Sequence, residues 1–227
     1  GDDDKLSTVK TVNGKKPVFF GLDAKNDFYA KNIKNSGDGK VLATLCFDNK
    51  NVDVEVPAIG TYMVTNALAA AAAGKLLGLT DEEIANGVAS YKTVGSRANV
   101  INTGKIKIID DCYNANPTSV RASLDTLSNL DGRKVAILGD MKELGSEELK
   151  LHFDTGVYAK LKGIGTVITV GELAKELAKG ADGKAFDTIE DAKPEILKTI
   201  KSGDVVLVKA SHSMQFENIV EFLKQNF

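Results

Sequence analysis

Tryptophan is absent from this chain of 227 residues, histidine and cysteine occur only twice each, and proline four times. Two cysteines, Cys46 and Cys112, do not make a disulfide framework, and their scarcity fits a reducing, cytoplasmic setting. The two histidines, His152 and His212, stand 60 residues apart, and no Cys/His group has metal-ligand spacing, so no metal site is expected. There is no excess of basic charge either. With 29 Lys and Arg against 31 Asp and Glu, the net charge of −2 excludes a nucleic-acid or membrane-surface partner of the electrostatic kind. The longest apolar run, Ala67 to Ala73, is far short of the roughly 20 residues a bilayer requires. The acidic opening, Gly1-Asp2-Asp3-Asp4-Lys5, has no signal-peptide pattern.

Two catalytic devices are missing as well. Each Gly-Lys pair, at 14, 39, 74, 104 and 183, lacks the following Ser or Thr that a phosphate-cradling P-loop needs. No Gly-x-Ser-x-Gly elbow occurs. No catalytic residue is assigned within the chain.

What is present falls into two parts. Residues 17–20, 40–47 and 51–56 are rich in β-branched and aromatic residues and read as strands, with Asp48-Asn49-Lys50 as a hairpin loop. An Ala- and Leu-rich helix is expected over 65–77. Thr80-Asp81-Glu82-Glu83 is a capping box that opens the next. Beyond Thr93-Val94-Gly95-Ser96 the pattern becomes alternating: strands at 106–110, 134–138, 165–170, 185–187 and 204–209, and helices at 117–129, 147–161, 172–179, 189–201 and 214–225. Such alternation predicts βαβ units on a parallel sheet. Pro117 suits the first helical position, with Asn116 as N-cap. The expectation is an α/β chain of two domains, 1–94 and 95–227, the second a doubly wound, Rossmann-like sheet.

Two segments stand where apolar strands stop. Asp110-Asp111-Cys112-Tyr113-Asn114-Ala115-Asn116-Pro117 follows Ile106-Lys107-Ile108-Ile109, and Gly139-Asp140-Met141-Lys142-Glu143-Leu144-Gly145 follows Val135-Ala136-Ile137-Leu138. The carboxyl ends of neighbouring strands are where open α/β sheets bind ligands. A carboxylate, two amides and a helix N-terminus suit a ribose or phosphate group. The plainer alternative is that Asn116 only caps its helix and Asp111 only closes a turn.

These two segments, the second followed by His152, resemble the signatures of the Mur ligases, in particular the branch that adds D-alanyl-D-alanine. Asn66-Ala67-Leu68-Ala69-Ala70-Ala71, Ser96-Arg97 and Leu207-Val208-Lys209-Ala210-Ser211-His212-Ser213 resemble further family segments, in the same order. The resemblance implies ATP- and Mg2+-dependent amide ligation through an acyl phosphate, with UDP-muramoyl-tripeptide and D-alanyl-D-alanine as substrates. It implies a cytoplasmic enzyme of peptidoglycan precursor synthesis, monomeric, with no membrane span and no nucleic-acid partner. By the same comparison, residues 1–94 correspond to the distal part of the central ATP-binding domain and 95–227 to the C-terminal domain. The P-loop, most magnesium ligands and the UDP-binding domain would then lie upstream of Gly1, and this chain alone would be inactive.

Carried over residue by residue, the resemblance has Asn66 contact adenine, Arg97 reach phosphate, and Asp111 bind the ribose hydroxyls from a cleft, where it would support no core. Tyr113 and Asn114 would face the nucleotide or the incoming peptide, and Asn116, Lys209, Ser211 and His212 the substrate side. Asp140, Glu143 and His152 are family hallmarks for which a structural role is at least as good a reading. Departures are Tyr62 in place of the usual His, and Ala210-Ser211-His212 in place of Gly-Ser-Arg. His for Arg removes a permanent charge and a bidentate fork. Two alternatives stay open: another ligase of the same superfamily, or a non-catalytic Rossmann-like binding module.

Overall fold

The computed structural model describes residues 1–36, 39–93 and 95–227, and the chain divides into two compact units, Gly1–Lys92 and Thr93–Phe227. Residue 94, the expected end of the first domain, lies outside the described residues.

In the first unit, β1 (Phe20–Gly21), β2 (Phe28–Asn35), β3 (Val41–Phe47) and β4 (Lys50–Val56) form a sheet in sequence order. The first pair is parallel and the other two antiparallel. One face of β3, carrying Val41, Ala43, Leu45 and Phe47, packs on helices α1 (Tyr62–Leu76) and α2 (Asp81–Ala89) through Val64, Leu68, Ala71 and Ile84. Of the expected strand at 17–20 only Phe20 enters the sheet, as the first residue of the two-residue β1. The eight-residue β2 had escaped notice because a bulge between Lys31 and Lys34, with Asn32 at φ 56°, breaks its alternation. Asp48 and Asn49, both at positive φ, make the two-residue hairpin turn, and Lys50 already belongs to the strand. The capping box is as expected: Thr80 Oγ1 accepts from the Glu83 amide at 3.2 Å, and Glu83 Oε2 accepts from the Thr80 amide at 2.8 Å.

The second unit holds β5 (Asn99–Asn102), β6 (Lys107–Asp110), α3 (Pro117–Ser128), β7 (Arg133–Gly139), α4 (Glu148–Leu161), β8 (Thr166–Val170), α5 (Ala174–Ala181), β9 (Lys184–Phe186), α6 (Ile189–Thr199), β10 (Asp204–Lys209) and α7 (Glu217–Asn226). Strand order is β5-β6-β10-β7-β8-β9, parallel except for β5. The alternating α/β reading holds throughout. β5 was missed because three of its four residues are exposed on the sheet edge and no apolar alternation marks it.

Right-handed crossovers fix the layers. Steps from β6 to β7, β8 and β9 run one way, which puts α3, α4 and α5 on one face. The return to β10 puts α6 on the other, where Ala192, Ile196, Ile219 and Leu223 of α6 and α7 pack against Ile108, Ile137 and Val206. Every residue of β10 is buried, as expected for a central strand covered on both faces.

Candidate functional site

Chain leaves β6 and β7 toward the α3 face but leaves β10, which lies between them, toward α7. Turns from the two sides therefore diverge at the carboxyl end of β10, the topological switch point at which open α/β sheets bind ligands. The turns after β6, β7 and β10 meet there, and they hold most of the residues singled out above.

Two of these residues, joined by Ser123 of α3, form a buried core of the site. Lys209, on the α3 face of β10, places Nζ 2.6 Å from Asp111 Oδ2 and 2.9 Å from the Asn114 carbonyl. Asp111 also accepts from Ser123 Oγ of α3 at 2.7 Å and from the Ala98 amide at 3.0 Å. Asp111 and Lys209 are both buried. The expectation of a cleft-facing Asp111 that supports no core is thereby corrected: its carboxylate is consumed inside the unit. Desolvating both charges is tolerable only because every strong donor and acceptor has a partner. Lys209 likewise points inward rather than lining a cleft. Ser123 had not been flagged; its only signal is a helix position one turn after Ser119, whose carbonyl it also bonds.

Around this core lies an exposed cluster. The Arg97 guanidinium sits 3.7 Å from the centroid of the Tyr113 ring, and the His212 ring is 5.9 Å away on a tilted plane. The Tyr113 amide donates to the Ser96 carbonyl at 2.9 Å, which fixes the ring's base. Arg97, Tyr113 and His212 are all exposed, so a fixed cation and two π faces are open to a ligand.

Asn114 and Asn116 serve the backbone. Asn114 Oδ1 accepts from the Ala115 amide, and Asn116 Oδ1 caps α3 at the Ser119 amide, each at 2.8 Å. Cys112 is buried and its thiol is pushed upward, first by burial and then by the nearby Asp110 and Asp111 charges, so it is no nucleophile.

Asp140, fully buried, accepts from the Ala174 amide at 2.8 Å and from Lys142 Nζ at 2.7 Å. Gly171, at φ +119°, has no room for a side chain, since a Cβ would lie 2.4 Å from Asp140 Oδ1. Glu143 is exposed at φ 64°. Asn66 belongs to the first unit, where it lines a cavity of about 320 Å³ together with small residues of α1 and α2, such as Ala67, Ala70, Gly74 and Gly87, and larger ones, such as Met63, Leu79, Ile84 and Tyr91. Among the described residues no group of three His, Cys, Asp or Glu could hold a metal ion, and no helix is long and apolar enough to cross a membrane.

A doubly wound unit with a switch-point site, following a smaller mixed unit, is an arrangement suited to nucleotide-dependent chemistry. Two family models match: the Mur ligase middle domain over residues 1–74 and the Mur ligase glutamate ligase domain over residues 96–212. The chain belongs to the Mur ligase family. It is 34% identical over 215 residues to the UDP-N-acetylmuramoyl-tripeptide–D-alanyl-D-alanine ligase of Bacillus subtilis, covering 90% of this chain and 46% of that protein. The Escherichia coli enzyme of the same name is 33% identical over 230 residues, with coverage of 99% and 51%. Among solved structures, MurF of Thermotoga maritima in complex with ADP superposes with a TM-score of 0.86 at 26% identity, covering 99% of this chain and 52% of that one. MurF of Acinetobacter baumannii superposes at 0.84 with 30% identity, covering 91% and 46%. The chain thus spans about half the length of the relatives it matches.

Proposed function

We propose that this chain provides the distal part of the ATP-binding domain and the C-terminal domain of a ligase that joins D-alanyl-D-alanine to UDP-N-acetylmuramoyl-tripeptide. The observation that carries this reading is the match over nine-tenths or more of the chain to relatives of that one name, with one structural neighbour holding ADP. Each unit by itself offers groups that fit part of a nucleotide. In the first, Asn66 offers an amide edge beside a mostly apolar cavity, which suits a flat base. Arg97 offers an exposed guanidinium, a bidentate match for phosphate. When bound, ATP supplies the phosphoryl group that activates the tripeptide carboxyl.

Tyr113 holds Arg97 in place, and His212 stands on the substrate side of the same cluster. Asp111, Lys209, Asn114 and Asn116 act by shaping the turns, and Asp111, being buried, meets a ribose hydroxyl only through Oδ1, which accepts from the Ala98 amide alone. Among the described residues no group of three His, Cys, Asp or Glu would hold Mg2+. The enzyme would act as a cytoplasmic monomer in peptidoglycan precursor synthesis.

The test uses the full-length protein containing this sequence. Steady-state phosphate release should require ATP, the UDP-muramoyl-tripeptide and D-alanyl-D-alanine together, since the dipeptide amine displaces phosphate from the acyl phosphate, and Arg97→Ala should lower kcat/KM by about 10²-fold or more, the scale of one lost transition-state charge contact. Release with a single amino acid but not with the dipeptide would instead favour another ligase of the superfamily.

A further inference from the structure

His152 is fully buried in α4, so both ring nitrogens must find their partners within the protein. Nε2 lies 2.9 Å from the Met141 amide, and Nδ1 lies 2.7 Å from the Glu148 carbonyl. An amide only donates and a carbonyl only accepts, so the ring carries its proton on Nδ1 and accepts at Nε2. An apolar side chain of equal volume could fill this space but could not receive the Met141 N–H.

Met141 begins a short relay. The next amide, Lys142 N–H, donates to Ser211 Oγ at 2.9 Å, and the Ser211 amide donates back to the Asp140 carbonyl at 3.0 Å. The turns after β7 and β10 are thereby zipped together, and Asp140 Oδ1 ties in the start of α5 through Ala174. His152 is the only side chain of α4 that the relay engages. We propose that His152 is a positioning residue: by receiving the Met141 N–H it sets the turn after β7, and through that turn the place of Ser211 and His212 at the carboxyl edge of the sheet. Its bearing on substrate rests on the proposed ligase function, whereas the positioning itself does not.

Nitrogen-15 NMR of the imidazole in the purified chain should show the Nδ1–H tautomer with Nε2 unprotonated; an Nε2–H ring would overturn the proposal. Amide hydrogen exchange then separates positioning from packing. In His152→Asn the shorter side chain reaches the Glu148 carbonyl but not Met141, whereas in His152→Gln the longer one can accept from Met141. Exchange at Met141, Lys142 and Ser211 should rise about tenfold or more in the Asn variant and stay within about twofold in the Gln variant, with the amino ends of β7 and β10 unchanged in both. Equal acceleration at both ends of these strands, or no difference between Asn and Gln, would reduce His152 to a packing residue. Should neither variant fold, the tautomer measurement decides. No readout depends on ligase activity, so failure here and failure of the proposed function are distinguishable.

Discussion

At the amino ends of β7 and β10, Asp204 is withdrawn from water, but its partner Arg133 keeps 42% of its side chain exposed. At the other end of β10, Lys209 and Asp111 are both withdrawn, with 3% and 12%. The two pairs resemble each other chemically. Arg133 binds Asp204 in bidentate fashion, at 2.8 and 2.6 Å, and also reaches the Thr199 carbonyl. The second pair instead uses its remaining donor on the Asn114 carbonyl and its remaining acceptors on Ser123 and Ala98. An ion pair open to water closes the strand ends and little else. A dry pair bonded on both oxygens of its carboxylate and to the Asn114 carbonyl dictates the path of the turn that carries Tyr113. In the first unit, Asp81 with Lys75 and Lys50 is a third kind, a partly exposed cluster in which Lys75 and Asp81 bracket the turn between α1 and α2.

This ranking can be broken by substitution. Lys209→Met should cost the most, about 3–5 kcal/mol, because it strands a buried carboxylate. Denaturant unfolding of the second unit would show it, and adding Asp111→Asn should recover part of the loss; a change below about 1 kcal/mol would mean that water reaches the pair. Arg133→Met should cost less, about 1–2 kcal/mol, since Asp204 keeps the Lys201 amide and solvent screens the lost cation. If it proved as damaging as Lys209→Met, burial of the cation would not be what separates the two ends.

Tyr113→Leu should cost about 0.5–1 kcal/mol by removing the ring under Arg97, while Tyr113→Phe should be near neutral. NMR of the Arg97 side chain would report the difference, and equal mobility in both variants would dismiss the stacking.

The smallest effect concerns acid. Hydrogen bonds from Lys75 and then Lys50 hold the Asp81 carboxyl below its ordinary value of 3.8. A carboxylate lowered in this way stabilises the first unit fully above that value, and the gain is lost as pH falls through the lower folded value. Asp81→Asn should therefore lower the unit's stability by a small constant amount from above that value up to neutral pH and converge with the parent protein at the most acidic pH. A deficit that persists at the most acidic pH would show that Asp81 does more than pair.

Much of this molecule could be read along the chain. β10 holds a continuous apolar run, Val205-Val206-Leu207-Val208, with both faces covered, and its expected bounds, 204–209, are those observed. Asn116-Pro117 marks a helix start that needs only local hydrogen bonds. Thr80 and Glu83 do the same for α2. β2 and β5 were not legible, one because a bulge interrupts its period and the other because an exposed edge strand has no apolar code.

The site divides along the same line. Its location followed from polar segments placed after apolar strands, because periodicity and chain direction are local properties. Which polar groups remain free was decided only by tertiary contacts. Asp111 meets Lys209 across 98 positions of sequence, and Lys142 meets Ser211 across 69. Pairs so distant are brought together by β10 inserting between β6 and β7, and no local pattern encodes that insertion. The sequence by itself determined most of the elements, the family and the edge that bears the site. Tertiary structure decided that Asp111 is spent on Lys209, while Arg97, Tyr113 and His212 remain open to solvent.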